Sequence, residues 1–519
     1  MKFFGKASLA AFTVAASLAM SPVEAKTLRV NVYGDPAMMD PITNSELVSG
    51  RILRNIYEGL TDRTPDGDTV PALAESWEPL DGEDGFRFHL RKNVKFHSGR
   101  TFTAKDVKYT YETLLDPTSK AGSAVSYLGD IVGAEDVKSG KTKELAGLKI
   151  VDDYTIEVRF TKPAVLFPLF PILIMDSGIV AEDGPDWMLK KSGGTGPFMF
   201  ESWNRGVDVT LKANPDYWDG APKIDAVRFV IVPHPETALA QYEAGELDVL
   251  DVEQANLRTV LRDPKFKDEL QIQPRTQSRY MGMNGEVYEP FKDVRVRKAV
   301  SLAIDRDGII KGLYDGAGFP LNGIVTPGVG GYNPDLPKLE YNPEKAKELL
   351  AEAGYPNGEG MPPVDITATA PWKDELAYYA NVLGSTLGMK VNVNVMERGA
   401  FIRGMNAGEL AFFPWGWTSG YPDASYYLDQ MWTSTSPFNR GRWKNEKYDA
   451  LVQEALATVD QEKRYALYHQ AEQIFIDEMG AAPLPMVAVV ALVKPYVLNT
   501  EITKYSFFDT FQKTEILDH

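Results

Sequence analysis

Hydrophobic and polar positions alternate in several short runs, and elsewhere the apolar residues recur at helical spacing. Thr27 to Tyr33 alternates toward a strand, as do Phe86, Phe88 and Leu90, and Ile156, Val158 and Phe160; each run predicts a half-buried strand. Thr103 followed by Asp106 resembles a capping box, opening a helix that carries Val107, Tyr109 and Leu114. Asn342-Pro343-Glu344 sets an N-cap, a first-turn proline and an acid in order. Ala346, Leu349, Leu350 and Ala353 follow at helical spacing, and Gly354 ends the helix. Val364 to Thr369, Asp374 to Leu387 and Lys390 to Val395 predict strand, helix and strand, with Gly388 as the residue after the helix. That unit implies a parallel pair with a right-handed crossover. Two long helices are expected late in the chain, at Asn445 to Thr458 and Asp460 to Met479. The class is α/β, with no internal repeat and no low-complexity linker.

The first residues change the picture from a plain globular chain to an exported one. Lys2 and Lys6 precede an uncharged apolar stretch from Ala7 to Met20, and Val23-Glu24-Ala25 offers a signal-peptidase site. The stretch falls short of the roughly 20 residues that span a bilayer, so residues 1–25 are expected to be a cleaved signal peptide. Ala481 to Val493 is also apolar, but it is short and carries Pro483 and Pro485. With no cysteine there is no disulfide, no thiol nucleophile and no lipid attachment, which points to a periplasmic protein without stable membrane insertion. A formal net charge of −17 repels nucleic acid and anionic lipid. Aromatic residues, 24 Tyr and 9 Trp among them, are enough to furnish an amphipathic cleft as well as a core.

Catalytic chemistry is thinly represented. The five histidines, His89, His97, His234, His469 and His519, show no metal-binding spacing, so no metal and no cofactor is expected. No nucleophile elbow, phosphate-binding loop or calcium loop is present. Gly194-Thr195-Gly196 lacks the third glycine of a nucleotide fingerprint and reads as a tight turn, and no nucleophile, base and orienting group can be assembled into a set.

A series of segments carries a family signature. Pro71-Ala72-Leu73-Ala74-Glu75-Ser76-Trp77 comes first, then Phe88-His89-Leu90-Arg91, Val94-Lys95-Phe96-His97-Ser98-Gly99 and Thr103-Ala104-Lys105-Asp106-Val107. Gly194-Thr195-Gly196-Pro197 leads into Ala213-Asn214-Pro215-Asp216-Tyr217-Trp218. Further on stand Ala244-Gly245-Glu246-Leu247-Asp248-Val249, Phe291 to Ala299, Ala303-Ile304-Asp305-Arg306 and Tyr341-Asn342-Pro343-Glu344-Lys345-Ala346. In this order, from about Leu28 to Leu484, the chain resembles the family 5 extracytoplasmic solute-binding proteins of peptide, nickel and opine ABC importers.

The resemblance implies a two-lobed Venus-flytrap fold of the large, type II peptide-binding class. Lobe one would comprise 26–62, 180–280 and 485–519, with an extra subdomain at 63–179; lobe two would comprise 281–484. It implies a monomer that binds a small-molecule solute between closing lobes and docks on an inner-membrane ABC permease. A population shift toward the closed form, rather than a covalent step, would do the work. An exported hydrolase and a chemoreceptor co-ligand are the competing readings. Ligand-facing positions carried over from the family are Asp35 to Asp40, including Met38 and Met39, Tyr109, Thr195 and Gly196 in their turn, and the segment from Trp415 to Asp423. Within that last segment Trp417, Thr418, Gly420, Tyr421 and Asp423 are the candidates. Trp415, alternating with Trp417, is expected to point inward, and Trp372 is an added cleft candidate from its exposed, proline-preceded position. Peptide binders of the family hold the ligand's amino terminus with an acid where this chain has Gly420. A modified amine, an opine-like conjugate or another polar solute is therefore expected, with Asp423 as the nearest remaining acid.

Overall fold

The computed structural model describes residues 25–44, 47–64, 68–80, 84–121, 127–170, 172–179, 193–500 and 510–519. The expected signal peptide lies outside the described residues, apart from Ala25. Three larger sheets organise the chain. A seven-stranded sheet contains Thr27–Val32, Phe198–Asn204, Asp208–Ala213, Ala226–Ile231, Val249–Asp251, Leu270–Gln273 and Val489–Val493. A five-stranded sheet contains Gln277–Met283, Val364–Thr369, Val391–Met396, Phe412–Thr418 and Ala482–Pro483. A four-stranded antiparallel sheet is built from Ala74–Pro79, Gly85–Leu90, Leu148–Asp152 and Thr155–Arg159.

Two extended cores match this division. One joins the seven- and four-stranded sheets through residues such as Leu28, Phe88, Ile156 and Phe229. The other fills the second half with Tyr280, Ile366, Leu383, Phe412 and Trp432. Among the described residues the chain passes between the seven- and five-stranded sheets twice. Residues 274–276 separate the strand ending at Gln273 from the one starting at Gln277, and residues 484–488 separate Ala482–Pro483 from Val489–Val493. The apolar run at 481–493 is therefore the return crossing, and its prolines fall where the chain leaves one sheet for the other. Among the described residues no helix is long and apolar enough to cross a membrane.

Local chemistry explains the elements. The capping box at Thr103 and Asp106 is formed and opens the helix Ala104–Leu115. Asn342 accepts from the Lys345 N–H at 3.0 Å at the start of Pro343–Glu352. Val364–Thr369 and Val391–Met396 pair in parallel around the helix Lys373–Leu387, and Gly388, at φ 68°, terminates that helix in the left-handed region. The late helices span Glu446–Leu456 and Gln461–Asp477, capped by Asn445 and Asp460.

Candidate functional site

The segment from Trp415 to Asp423 is the centre of the candidate site. Strand Phe412–Thr418 lies antiparallel to Gln277–Met283, which emerges directly from the first crossing and pairs Trp417 with Ser278 and Trp415 with Tyr280. Thr418 Oγ1 accepts from Gln277 Nε2 at 3.2 Å. Trp415 and Trp417 are both half-buried, and the Arg440 guanidinium lies over both rings, at 5.3 and 5.2 Å. Trp415 turns inward as expected, packing against buried Phe401 at 5.6 Å with its indole N–H buried, and Trp417 shares that face. Residues two apart on a strand share a face, and these two flank the same cation.

Gly420 follows the strand. A Cβ at this position would meet the Tyr426 ring and hydroxyl, both at 3.0 Å. Its φ lies outside the left-handed region, so crowding rather than backbone conformation opposes a side chain there. Tyr426 thus occupies the direction in which a side chain at 420 would project. Burial pushes the Tyr426 hydroxyl pKa up to about 12, so it is a neutral donor at physiological pH. The Gly420 carbonyl accepts from Arg63 Nη2 at 3.0 Å, a contact between the strand Thr61–Arg63 and the second half of the chain.

Aromatic contacts continue across this seam. Tyr421 meets Tyr426 edge-on at 4.8 Å and Phe170 at 5.3 Å, and Phe170 stacks on Tyr127 at 4.6 Å. Arg63 also acts electrostatically on Tyr127 and Tyr426. The walls around Gly420 are therefore aromatic and cationic.

Asp423 does not take the place of the missing acid. It is fully buried, pairs with Arg464 Nη2 at 3.0 Å, and accepts from the Ser425 N–H, opening the helix Ser425–Trp432. Burial pushes its pKa up, and Arg464 opposes that shift. Tyr421 is 3% exposed, so its contribution to the seam is the edge facing Phe170.

The remaining candidates are dispersed. Thr195 is buried and donates to Glu58 Oε2 at 2.8 Å, with Tyr217 and Trp218 on the same carboxylate. Burial raises the Glu58 pKa to about 7. Gly196 is pressed against the chain at 55–56, where a Cβ would come within 2.8 Å of backbone atoms, and its carbonyl receives Asn214 Nδ2 at 3.1 Å. That turn is a close-packing device in the first half of the chain, and none of these partners comes from 415–423. Met39 is core, whereas Met38 is half-buried and its sulfur accepts from Thr43 Oγ1 at 2.9 Å. Tyr109 is half-buried on its helix. Trp372 lies under the Arg279 guanidinium at 4.1 Å; Arg279 pairs with Glu375 at 2.9 Å and donates to the Pro485 carbonyl at 3.1 Å. Trp372 thus sits where the two crossings meet the second sheet. A cavity of about 800 Å³ is bordered by Arg54, Glu58, Arg63, Tyr217, Trp218 and Asn499; Arg63, which donates to the Gly420 carbonyl, therefore lies on its wall.

Arg63, Tyr426 and Arg440 were not singled out by the sequence. Each acts through contacts distant in the chain, and no local motif marks them.

Two α/β bodies connected by two crossings, with an aromatic seam between them, define the class of a two-lobed binding protein. The chain belongs to the bacterial extracellular solute-binding proteins, family 5, whose description matches residues 68–439. It is 31% identical over 520 residues to the probable deoxycholate-binding periplasmic protein YgiS of Escherichia coli, covering 95% of this chain and 93% of that protein. The unliganded open form of MppA, a periplasmic murein tripeptide-binding protein, shares the fold at a TM-score of 0.85, with 24% identity over 96% of this chain and 98% of that one. The ABC transporter-associated periplasmic binding protein DppA of Helicobacter pylori, solved with a peptide, matches at a TM-score of 0.73 and 25% identity, over 95% and 98% of the two chains. The hydrolase and chemoreceptor readings find no support in these relatives, and the opine-like solute has no counterpart among them.

Proposed function

We propose that this chain is the periplasmic receptor of an ABC importer and takes up a small amphipathic solute that lacks a free ammonium terminus. Family membership supports the transport role. The resemblance puts Gly420 in the place of the amine-binding acid, and one observation supports the solute class: Tyr426 stands against that position. An ammonium buried there would have no carboxylate to pair with, and an unpaired buried charge typically costs about 3–5 kcal/mol. The aromatic seam of Tyr127, Phe170, Tyr421 and Trp417 suits an apolar body. Deoxycholate, named for the relative above, is an amphipathic carboxylate without an ammonium group, and a solute of that chemical kind fits these walls.

On this reading the signal peptide ends at Ala25, and the mature chain starts at Lys26 as a periplasmic monomer. Lobe one is 26–62, 180–280 and 485–519 with its subdomain at 63–179, and lobe two is 281–484. Ligand bridges the lobes and favours the closed form, which the permease recognises. Trp417, Thr418, Gly420 and Trp372 line the cleft, joined by Tyr426 and Arg63. The test is a calorimetric panel on the mature protein containing deoxycholate, tripeptides and their N-acetylated forms. Saturable binding of deoxycholate or the acetylated peptides, with free tripeptides weaker, supports the reading. Tight binding confined to free tripeptides overturns the solute class.

A further inference from the structure

Arg440 is 4% exposed, and among the described residues it forms no ion pair with any carboxylate. Its Nε donates to the Asn406 side-chain oxygen at 3.0 Å, but its Nη1 is a buried atom without a hydrogen-bond partner. Phe438 adds a third ring at 5.7 Å to those of Trp415 and Trp417. The neighbouring polar atoms repeat the imbalance. The Tyr280 hydroxyl and the Trp415 and Trp417 indole N–H groups are likewise buried and unpartnered. Arg440 faces the Tyr280 hydroxyl and opposes the burial-driven rise of its pKa through its charge and a weak hydrogen bond, and the neutral Trp417 indole N–H does the same to the Tyr426 hydroxyl through a weak hydrogen bond alone; neither contact meets full hydrogen-bond geometry. The cluster is therefore rich in donors and short of acceptors. Buried polar groups in native proteins are nearly always paired, and a desolvated cation is costly unless an anion meets it.

We propose that Arg440 is the anchor for an acidic group of the solute: a carboxylate received by its Nη1, with the Tyr280 hydroxyl and a tryptophan N–H completing the donor set. A guanidinium offers five N–H groups in a planar fork, which suits two-oxygen acceptors better than an ammonium does. The rings shield the pair from water, and Trp417 places it beside Gly420 on the cleft segment. This inference rests on the solute-binding reading above and adds to it which end of the solute is charged.

The test compares acids with their neutral derivatives on the mature protein by calorimetry: deoxycholate with its methyl ester, and an N-acetylated tripeptide with its C-terminal amide. The native protein is expected to favour the acid by about thirtyfold or more, the effect of losing one partner of a buried charged pair. Arg440→Met is expected to bring acid and neutral form to near parity. Arg440→Lys, which keeps the charge and loses the fork, is expected to fall between. In the absence of ligand, Arg440→Met is expected to melt no lower than the native protein, because it removes a buried cation that no carboxylate balances. Equal affinity for acid and neutral forms in the native protein overturns the inference and leaves the solute-binding reading standing. So does a lower melting temperature of Arg440→Met with both forms weakened alike, which would make Arg440 packing for the tryptophans. Failure of every probe to bind counts against both readings.

Discussion

Placing an acid at Gly420, where the resemblance puts the amine-binding carboxylate of peptide binders, tests the proposed solute class. A Cβ there would stand 3.0 Å from both the Tyr426 ring and its hydroxyl, so Gly420→Asp must displace an aromatic side chain packed against Trp417 and Tyr421. Overpacking of this kind costs about 1–3 kcal/mol, and the single variant is expected to melt lower without gaining peptide affinity. Tyr426→Ser alone opens the space and supplies no charge. The double variant Gly420→Asp/Tyr426→Ser has both room and carboxylate. A buried ammonium–carboxylate pair formed there would make its loss on N-acetylation worth about 3–5 kcal/mol, more than a hundredfold in affinity. Calorimetric titration with a tripeptide and its N-acetylated form, across the four proteins, yields the coupling between the two positions. The expected result is non-additivity: preference for the free amine in the double variant alone. Native protein that already prefers the free amine by a hundredfold would refute the reasoning, since some other group would then be doing the acid's work.

Asp423→Asn breaks the buried pair with Arg464 and is expected to destabilise folding by about 3–5 kcal/mol in thermal and urea unfolding; selective loss of ligand binding at unchanged stability would instead make Asp423 a cleft residue. Trp417→Ala removes a half-buried ring from the candidate cleft and is expected to weaken deoxycholate binding, or that of whichever panel member binds, by about 2 kcal/mol or more, with a smaller loss of stability; equal losses would make Trp417 core. Glu472 accepts from the Ile324 and Val325 N–H groups at 2.7 and 2.8 Å, and burial raises its pKa from 4.5 to about 7. The folded state therefore binds the proton more tightly than the unfolded one between those values, and stability falls as pH rises through them, levelling above about 7. Glu472→Gln keeps an acceptor and cannot ionise; it is expected to match the native protein near pH 4.5 and exceed it at pH 8 by up to about 3 kcal/mol, whereas a pH-independent difference in urea unfolding would contradict the assignment.

What local sequence encodes was legible. The capping box at Thr103, the Asn342 cap and the Val364–Met396 strand–helix–strand unit depend on neighbours a few residues apart, and they formed as the pattern predicts. The family segments were legible too, because the wording is spread over most of the chain. The environment of the cleft was not. The glycine at 420 could be read, but not that Tyr426 fills its flank or that Arg63 reaches it from more than three hundred positions away. The same holds for Asp423, whose partner Arg464 lies on a helix whose sequence carries no sign of the pairing. Trp415 packs inward as read, but Trp417 lies on the same side of the strand rather than alternating with it.

Small-angle scattering of the mature protein, recorded with and without saturating deoxycholate, tests the central claim most directly. Binding is verified by calorimetry on the same sample, with the N-acetylated tripeptide substituted if that is the panel member that binds. A solute held between two lobes that close on it predicts a smaller radius of gyration in the bound state. An unchanged radius of gyration at proven saturation would contradict the account, placing the solute on one lobe.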